Sequence, residues 1–215
     1  MRAMPGARLL VCLFGLALAA GAQQSGVDAL AAGKFLVAEE QVLDPNFART
    51  VVLLIDYGPE GAMGLIINRP ATVTLAEVLP TVESLEGRTD RIYFGGPVQQ
   101  DGLLILVRAE EPPEELEPIF GDVYAGGSAR TLASLIVAGF DEKRLRGYAG
   151  YAGWGPGQLD GEVARGDWMI LPAASSLVFD PAPTSIWKKL IDGRRQRFAE
   201  LVSRLPGPAK PRLVQ

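Results

Sequence analysis

The sequence contains no histidine and a single cysteine, Cys12. Histidine is the side chain that most often serves as a general base or as a transition-metal ligand near neutral pH. Its absence excludes serine–histidine and cysteine–histidine catalytic pairs, and it excludes zinc sites that use an imidazole. Because Cys12 lies inside an apolar stretch near the N-terminus, we expect neither a disulfide nor cysteine catalysis in the rest of the chain.

The first 22 residues have the layout of a signal peptide. Arg2 and Arg8 precede an apolar stretch, residues 9–20, that is shorter than the roughly 20 residues a membrane-spanning helix needs. Small residues follow this stretch, and we expect cleavage after Ala22. Retention of the segment as an anchor is the alternative. The sequence therefore predicts an exported, periplasmic protein that has no membrane span once the signal peptide is removed.

One domain is expected after the signal peptide. We predict a flexible tether over residues 23–32, a single domain over residues 33–205 and a tail over residues 206–215. Loss of two arginines with the signal peptide changes the formal charge from −4 to about −6. A mildly acidic protein has no general attraction to nucleic acid, so we expect no direct nucleic-acid binding.

Apolar runs bounded by turn residues predict most of the strands. They fall at residues 34–39, 50–57, 62–68, 91–94, 103–108, 145–152 and 167–171. The turn residues 58–61 predict one hairpin, and the long loop between residues 94 and 103 predicts a second. Pro70 is expected to end a strand. Residues 110–118 carry five glutamates and three prolines and predict a solvated loop.

Three helices are expected from their capping residues and apolar spacing. Thr74 and Glu77 form a capping box, and Ser128 begins a second helix that ends at Gly139. The last helix begins near residue 186 and is expected to be interrupted at Asp192-Gly193. Strands in hairpins with single helices between them predict an α+β fold with a largely antiparallel or mixed sheet.

A basic cluster lies in this C-terminal segment. A solvated helix face explains it better than a nucleic-acid footprint, because apolar residues recur at helical spacing between the charges. Its members are Lys188, Lys189, Arg194, Arg195 and Arg197.

Three segments contain an unusual combination of residues: GLIINRP (64–70), FGGPV (94–98) and GYAGWGPGQL (150–159), the last followed by Glu162 and Trp168. In this order they resemble the AlgH/YqgE family, over about residues 33–190. The resemblance implies a compact α+β fold built on a bent, barrel-like sheet, a pseudo-barrel, flanked by helices. It implies no activity, since the family has no agreed biochemical function and no established catalytic residues.

The family name derives from a suspected link to the transcriptional control of alginate production. A cytoplasmic, transcription-linked regulator is therefore one alternative function. Typical members lack a signal peptide and are expected in the cytoplasm, so the signal peptide of this chain departs from the family pattern.

The three motifs supply the candidate ligand or partner surface. In the third motif Pro156 suits the first turn of a helix, on which Gln158 and Glu162 lie at i and i+4 on one face while Leu159 and Val163 lie on another. Without histidine or cysteine, their residues favour a non-enzymatic binding or regulatory module of the envelope, with a protein or a small molecule as ligand and with neither cofactor nor metal. The alternative is structural: tryptophans that cover a sheet edge, glycines that shape turns and an arginine that pairs with a neighbouring carboxylate. The candidates are Asn68, Arg69, Gly95, Gly96, Trp154, Gln158 and Glu162.

The competing hypothesis is a hydrolase or lyase that uses carboxylates. Glu162 or Asp160 would act as the base beside Arg69 as an anion clamp. Such chemistry needs a carboxylate whose pKa is raised by burial, and it needs Glu162 and Arg69 to line one pocket.

Overall fold

Ten β-strands and five α-helices make up residues 27–203, which are the residues that the computed structural model describes. The strands are β1 (Lys34–Ala38), β2 (Val51–Gly58), β3 (Gly61–Ile66), β4 (Pro70–Thr74), β5 (Arg91–Phe94), β6 (Val98–Arg108), β7 (Leu116–Phe120), β8 (Val123–Gly126), β9 (Leu145–Trp154) and β10 (Trp168–Pro172). The helices are α1 (Leu75–Val78), α2 (Ala129–Val137), α3 (Gln158–Ala164), α4 (Ser175–Val178) and α5 (Ile186–Ser203).

The strands form one sheet in the order β10-β1-β2-β3-β9-β6-β8-β7, in which all neighbours are antiparallel. β5 joins this path beside β9 in parallel orientation, and β4 pairs with β5. The predicted α+β class with a largely antiparallel sheet is confirmed. The sheet is open rather than closed into a barrel, because β10 and β7 lie at its two ends.

β1 and β2 are buried on both faces. Phe35, Val37 and Leu53 pack into one apolar cluster, whereas Leu36 and Leu54 pack into another on the opposite face. Each fully buried side chain of this size contributes about 1.5–3 kcal/mol relative to an exposed one. This two-sided burial explains why the sequence of β2 is a continuous apolar run rather than an alternating one.

The predicted capping of the short helices is confirmed. The side chain of Thr74 accepts from the backbone N–H of Glu77, and the Glu77 carboxylate accepts from the backbone N–H of Thr74. Ser128 caps α2 in the same way, with Thr131 as its partner. After this helix Gly139 adopts a positive φ of 86°, as a glycine that terminates a helix commonly does.

The predicted second hairpin is wrong. β5 and β6 do not pair with each other, because β9 lies between them: Tyr148 faces Tyr93 of β5 on one side and Leu104 of β6 on the other. The FGGPV segment is therefore not a hairpin tip. It carries the chain across β9 from one side to the other.

Pro70 begins β4 instead of ending a strand, and part of the glutamate- and proline-rich segment is a strand instead of a loop. β7 and β8 form a hairpin that begins inside that segment. Pro118 is tolerated there because β7 lies at the edge of the sheet, where one side of the strand needs no ladder hydrogen bonds.

The C-terminal helix is continuous through Asp192-Gly193, contrary to the predicted interruption. A glycine inside a helix costs only about 1 kcal/mol relative to alanine. Ion pairs flank the glycine: Lys188 pairs with Asp192, Arg194 with Glu39 and Arg195 with Glu40.

Packing of the domain begins earlier in the chain than expected. Leu30, which lies within the predicted tether, is only 6% exposed and packs with the cluster that contains Leu36. The signal peptide predicted over residues 1–22 and the tail over residues 206–215 lie outside the described residues. Within residues 27–203, no helix has the length and apolar character needed to cross a membrane.

Candidate functional site

Asn68 and Arg69 hold the loop that precedes β2. The guanidinium of Arg69 donates to the carbonyl oxygens of Pro45, Asn46 and Ala48 at 3.0, 2.7 and 3.0 Å. Asn68, which is buried, accepts from the N–H of Val51 at 2.8 Å and donates to a further carbonyl of the loop at 3.0 Å. These two side chains thus satisfy four carbonyl oxygens and one N–H group within residues 45–51.

Glu162 joins two tryptophans on the other side of the same loop. Its Oε2 atom accepts from the indole N–H groups of Trp154 and Trp168, each at 2.9 Å. Its Oε1 atom accepts from Gln158 Nε2 at 3.0 Å. The ring of Phe47 stacks on Trp154, with centroids 5.9 Å apart, and meets Trp168 edge-on at 5.7 Å.

The turn before α3 is built from glycine. Gly157 is the N-cap residue with a left-handed φ of 69°, and the side chain of Gln158 accepts from the N–H of Gly155 at 3.2 Å. Pro156 therefore precedes the helix. The prediction that it occupies the first turn is wrong. The predicted Gln158–Glu162 pair on one face of the helix is confirmed, with Leu159 and Val163 buried on another.

Gly95 and Gly96 allow two backbones to approach closely. A Cβ atom on Gly95 would lie 2.2 Å from the carbonyl oxygen of Gly150, and one on Gly96 would lie 2.1 Å from the carbonyl carbon of Tyr151. The N–H of Gly95 donates to Ala149 and its carbonyl accepts from Ile66. FGGPV thereby connects β5 to both β9 and β3.

The candidate residues thus fall into separate groups. Trp154, Gln158 and Glu162 are in direct contact, whereas Asn68 and Arg69 reach them only through the loop that carries Phe47. The carboxylate of Asp160 accepts from the hydroxyl of Tyr57 at 2.8 Å. The groups proposed for hydrolase or lyase chemistry are therefore bound to different protein partners, and the geometry does not favour that alternative.

The cleft of greatest chemical interest lies elsewhere, between β5, the start of β9 and the connection from α4 to α5. Its volume is about 540 Å³. Tyr93, Arg146 and Phe179 line it together with prolines 70, 181 and 183, and charged side chains stand at its margin. We call these surroundings the Arg146 cleft; its charged members are Asp90, Arg91, Glu142, Lys143 and Arg146.

Arg146 is the central residue of the cleft. It is only 5% exposed, and its guanidinium donates to the carbonyl oxygens of Val178 and Asp180, at 2.6 Å each. The same group lies 4.7 Å from the ring centroid of Tyr93 and 5.8 Å from that of Phe179. Stacking of a cation on aromatic faces is favourable, so Arg146 fixes the α4–α5 connection against the sheet.

The electrostatics of the cleft follow from burial and from this cation. Burial raises the pKa of Tyr93, so its hydroxyl remains a neutral hydrogen-bond donor. Burial would also raise the pKa of Asp180, but hydrogen bonds from Ala182 and Lys189, and the charges of Lys189 and Arg146, lower it instead. Asp180 is therefore an anion that two cations share.

The chain matches a known protein family over most of its length. The sequence profile of the AlgH-like family, DUF179, matches residues 35–198. The chain belongs to the AlgH-like family. The resemblance drawn from three motifs is thereby confirmed.

Several AlgH-like relatives cover most of the chain. A UPF0301 protein of Streptomyces coelicolor is 33% identical over 190 residues, which is 77% of this chain and 86% of the relative. A UPF0301 protein of Chlorobium limicola is 32% identical over 183 residues, or 84% and 96% of the two chains. The solution structure of AlgH from Pseudomonas aeruginosa superimposes with a TM-score of 0.63 at 32% identity, covering 83% of this chain and 95% of that one.

The sequence analysis of this AlgH-like chain missed Arg146 and Tyr93. Arg146 follows Leu145 in a predicted strand, and a cation in an otherwise apolar strand was the available signal. Its partners, Val178 and Phe179, come from a segment that is distant in sequence, so spacing gave no indication of the cleft. In the described part of the chain, no group of three or more acidic, histidine or cysteine residues is placed to hold a metal ion.

Proposed function

We propose that this AlgH-like protein is a non-enzymatic binding module whose ligand occupies the Arg146 cleft. The observation that carries this proposal is the buried guanidinium of Arg146, stacked on Tyr93 in the wall of an open cleft. Small-molecule sites are typically concave, largely apolar volumes of about 300–1,000 Å³ with a few fixed polar groups. The Arg146 cleft has these properties.

The three motifs serve this function indirectly. Four motif side chains already form hydrogen bonds within the protein: Asn68, Arg69, Gln158 and Glu162. A ligand that used the same atoms would have to replace those bonds, and each buried group left unpaired costs about 1–3 kcal/mol. We therefore place the ligand in the Arg146 cleft and assign to the motifs the task of holding the sheet and its loop in shape.

We further propose that the protein works in the cell envelope after export. The support for this is the layout of the first 22 residues: arginines, an apolar stretch too short to span a membrane, and a cleavage site of small residues. A domain that needs no thiol and no disulfide is compatible with an oxidising compartment.

A bound ligand is testable by native mass spectrometry of protein purified from the cells that produce it. We expect a mass in excess of the polypeptide, and we expect Ala182→Trp to remove it, because a tryptophan at this exposed position would fill the cleft. Ala138→Trp, at an exposed alanine after α2, is the matched control and should keep the added mass. Retention of the ligand by Ala182→Trp would place the binding site elsewhere, and a wild-type protein without added mass would contradict the proposal.

A further inference from the structure

Resting on the proposed function, we infer that the ligand of the Arg146 cleft is a carboxylate joined to a flat apolar group. The carboxylate would bind toward Arg91, Lys143 and the hydroxyl of Tyr93, and the apolar group would lie against the rings and prolines of the cleft. The chemistry is the same for a free small carboxylic acid and for the C-terminal end of a peptide that carries an aromatic last residue.

The charge of the cleft carries the first step of this inference. Asp90 is already neutralised, since Arg88 donates to both of its carboxylate oxygens at 2.7 and 3.0 Å. Arg91 donates to the carbonyl oxygen of Ala71, and neither Arg91 nor Lys143 forms an ion pair with a described residue. The margin of the cleft is thus locally positive on a chain whose formal charge is −4, so it attracts anions against the overall charge.

The buried part of the cleft adds to this positive charge. Arg146 donates to two carbonyl oxygens, and the Asp180 carboxylate, on which its charge acts, is hydrogen-bonded at 2.9 Å to the ammonium of Lys189. One carboxylate therefore balances two cations. Because charges in a partly buried site are weakly screened, the surplus positive charge acts on a ligand in the cleft.

A free carboxylate at the margin disfavours a ligand with two negative charges. Glu142, the neighbour of Lys143 in the chain, lines the cleft and forms no ion pair with a described residue. A dianion such as a phosphate monoester would be repelled by it. A carboxylate carries one charge and accepts hydrogen bonds on two oxygens, which suits the guanidinium of Arg91 and the phenol of Tyr93.

The rest of the cleft selects for a flat apolar group. Tyr93 and Phe179 are largely buried rings that line the cleft, and the prolines at positions 181 and 183 supply rigid apolar walls. Aromatic groups gain from ring contacts beyond the apolar area that they bury. An aromatic group therefore fits this surface better than a polar or branched one.

The test is a titration of the isotope-labelled protein, residues 23–215, in which NMR chemical shifts of the backbone amides report binding. The probes are 3-phenylpropanoate, its uncharged amide, and 3-phenylpropylamine; the tripeptide Ala-Ala-Phe with a free and with an amidated C-terminus forms a second arm. We expect the carboxylates to shift cleft residues and to bind about tenfold or more tightly than their amides, since a hydrogen bond to a charged group contributes about 1.5–3 kcal/mol. Comparison of the two arms shows which source the cleft prefers.

Charge-neutral variants complete the experiment. Arg91→Gln combined with Lys143→Gln should weaken 3-phenylpropanoate binding about tenfold, whereas Arg165→Gln, at an exposed arginine between α3 and β10, should leave it unchanged. Equal binding of acid and amide in the cleft would overturn the carboxylate inference while leaving the binding function intact. Absence of shifts in the cleft with every probe would also reject the inference. Native mass spectrometry tests separately whether the protein binds a ligand at all.

Discussion

Trp154 and Trp168 donate their indole N–H groups to one and the same carboxylate oxygen, Glu162 Oε2, at 2.9 Å each. The two rings meet nearly perpendicular, with centroids 6.2 Å apart. One carboxylate thus fixes two strands and a helix, since the tryptophans end β9 and begin β10 while Glu162 lies in α3. This arrangement gives Glu162 a structural role that the sequence left open.

Removal of the Glu162 carboxylate should destabilise the protein. Glu162→Ala leaves two part-buried indole N–H groups without an acceptor, so we expect the free energy of unfolding to fall by about 2–4 kcal/mol in urea denaturation. Glu162→Gln keeps one oxygen and should recover most of that loss. Glu60→Ala, at an exposed glutamate, is the control and should change the value by less than about 0.5 kcal/mol. A stable Glu162→Ala variant would show that the tryptophans need no acceptor.

Arg69→Lys should loosen the loop before β2. A guanidinium reaches three carbonyl oxygens from a planar fork, which the ammonium of lysine cannot reproduce. We expect faster amide hydrogen exchange in residues 44–50 and a loss of about 1–3 kcal/mol of stability. Arg165→Lys, which alters an exposed ion pair, should leave the exchange of this loop unchanged. Unaltered protection in Arg69→Lys would contradict this role of Arg69 in holding the loop.

Gly95→Ala and Gly96→Ala should each cost several kcal/mol or prevent folding. The added methyl group would lie about 2 Å from backbone atoms of β9, which cannot move without breaking the ladder. Gly58→Ala is the matched control, because a Cβ atom there would meet nothing within 4 Å. Thermal unfolding of the three variants decides the point, and a native-like melting temperature for Gly96→Ala would refute the close approach.

Tyr148→Phe should stabilise the protein at neutral pH. The hydroxyl of Tyr148 is buried and forms no hydrogen bond of normal geometry with a described residue, although the guanidinium of Arg146 lies close enough to act on its pKa. Its removal should therefore add about 1–2 kcal/mol to the free energy of unfolding. Tyr57→Phe, which loses the bond to Asp160, should change stability in the opposite direction.

The same residue predicts a pH dependence. Burial raises the pKa of Tyr148 far above the value of about 10 that an unfolded chain has. The folded state therefore holds the hydroxyl proton of Tyr148 more tightly than the unfolded state does. The unfolded chain loses this proton above about pH 10, so the contribution of the raised pKa to stability is complete below pH 10 and is lost progressively as the pH rises above that value. Denaturation measured between pH 8 and 11 should show a decline that is smaller in Tyr148→Phe. Equal declines in both proteins would assign the effect to other groups.

Export predicts a mature protein that begins at Gln23. N-terminal sequencing of protein from the periplasmic fraction checks this directly. A chain that starts at Met1 or Met4 in the cytosolic fraction would contradict export and favour the cytoplasmic location that the family resemblance implies.

Local features of the sequence predicted the local structure well. The hairpin of β2 and β3, the capping boxes at Thr74 and Ser128 and the side-chain pair of Gln158 and Glu162 all depend on residues close together in the chain. Apolar periodicity and turn chemistry act over that range, so they are readable without the fold. The motifs likewise indicated the AlgH-like family, since each is a short string that is readable without the fold.

Long-range pairing lay beyond the sequence. β5 and β6 are neighbours in the chain, yet β9 separates them, because its central residues hydrogen-bond on both sides. Pairings between distant segments depend on how the whole sheet buries its apolar faces, and no local pattern records that.

The sequence by itself thus determined the family, the α+β class and the absence of histidine and cysteine chemistry from the domain. The tertiary structure alone decided that Arg69 binds the loop before β2 and that Glu162 binds the two tryptophans. It also decided that Arg146 contacts Phe179 in a cleft. The physical reason is the same in both cases. A charged side chain takes its role from the partners that surround it, and those partners come from segments that only folding brings together.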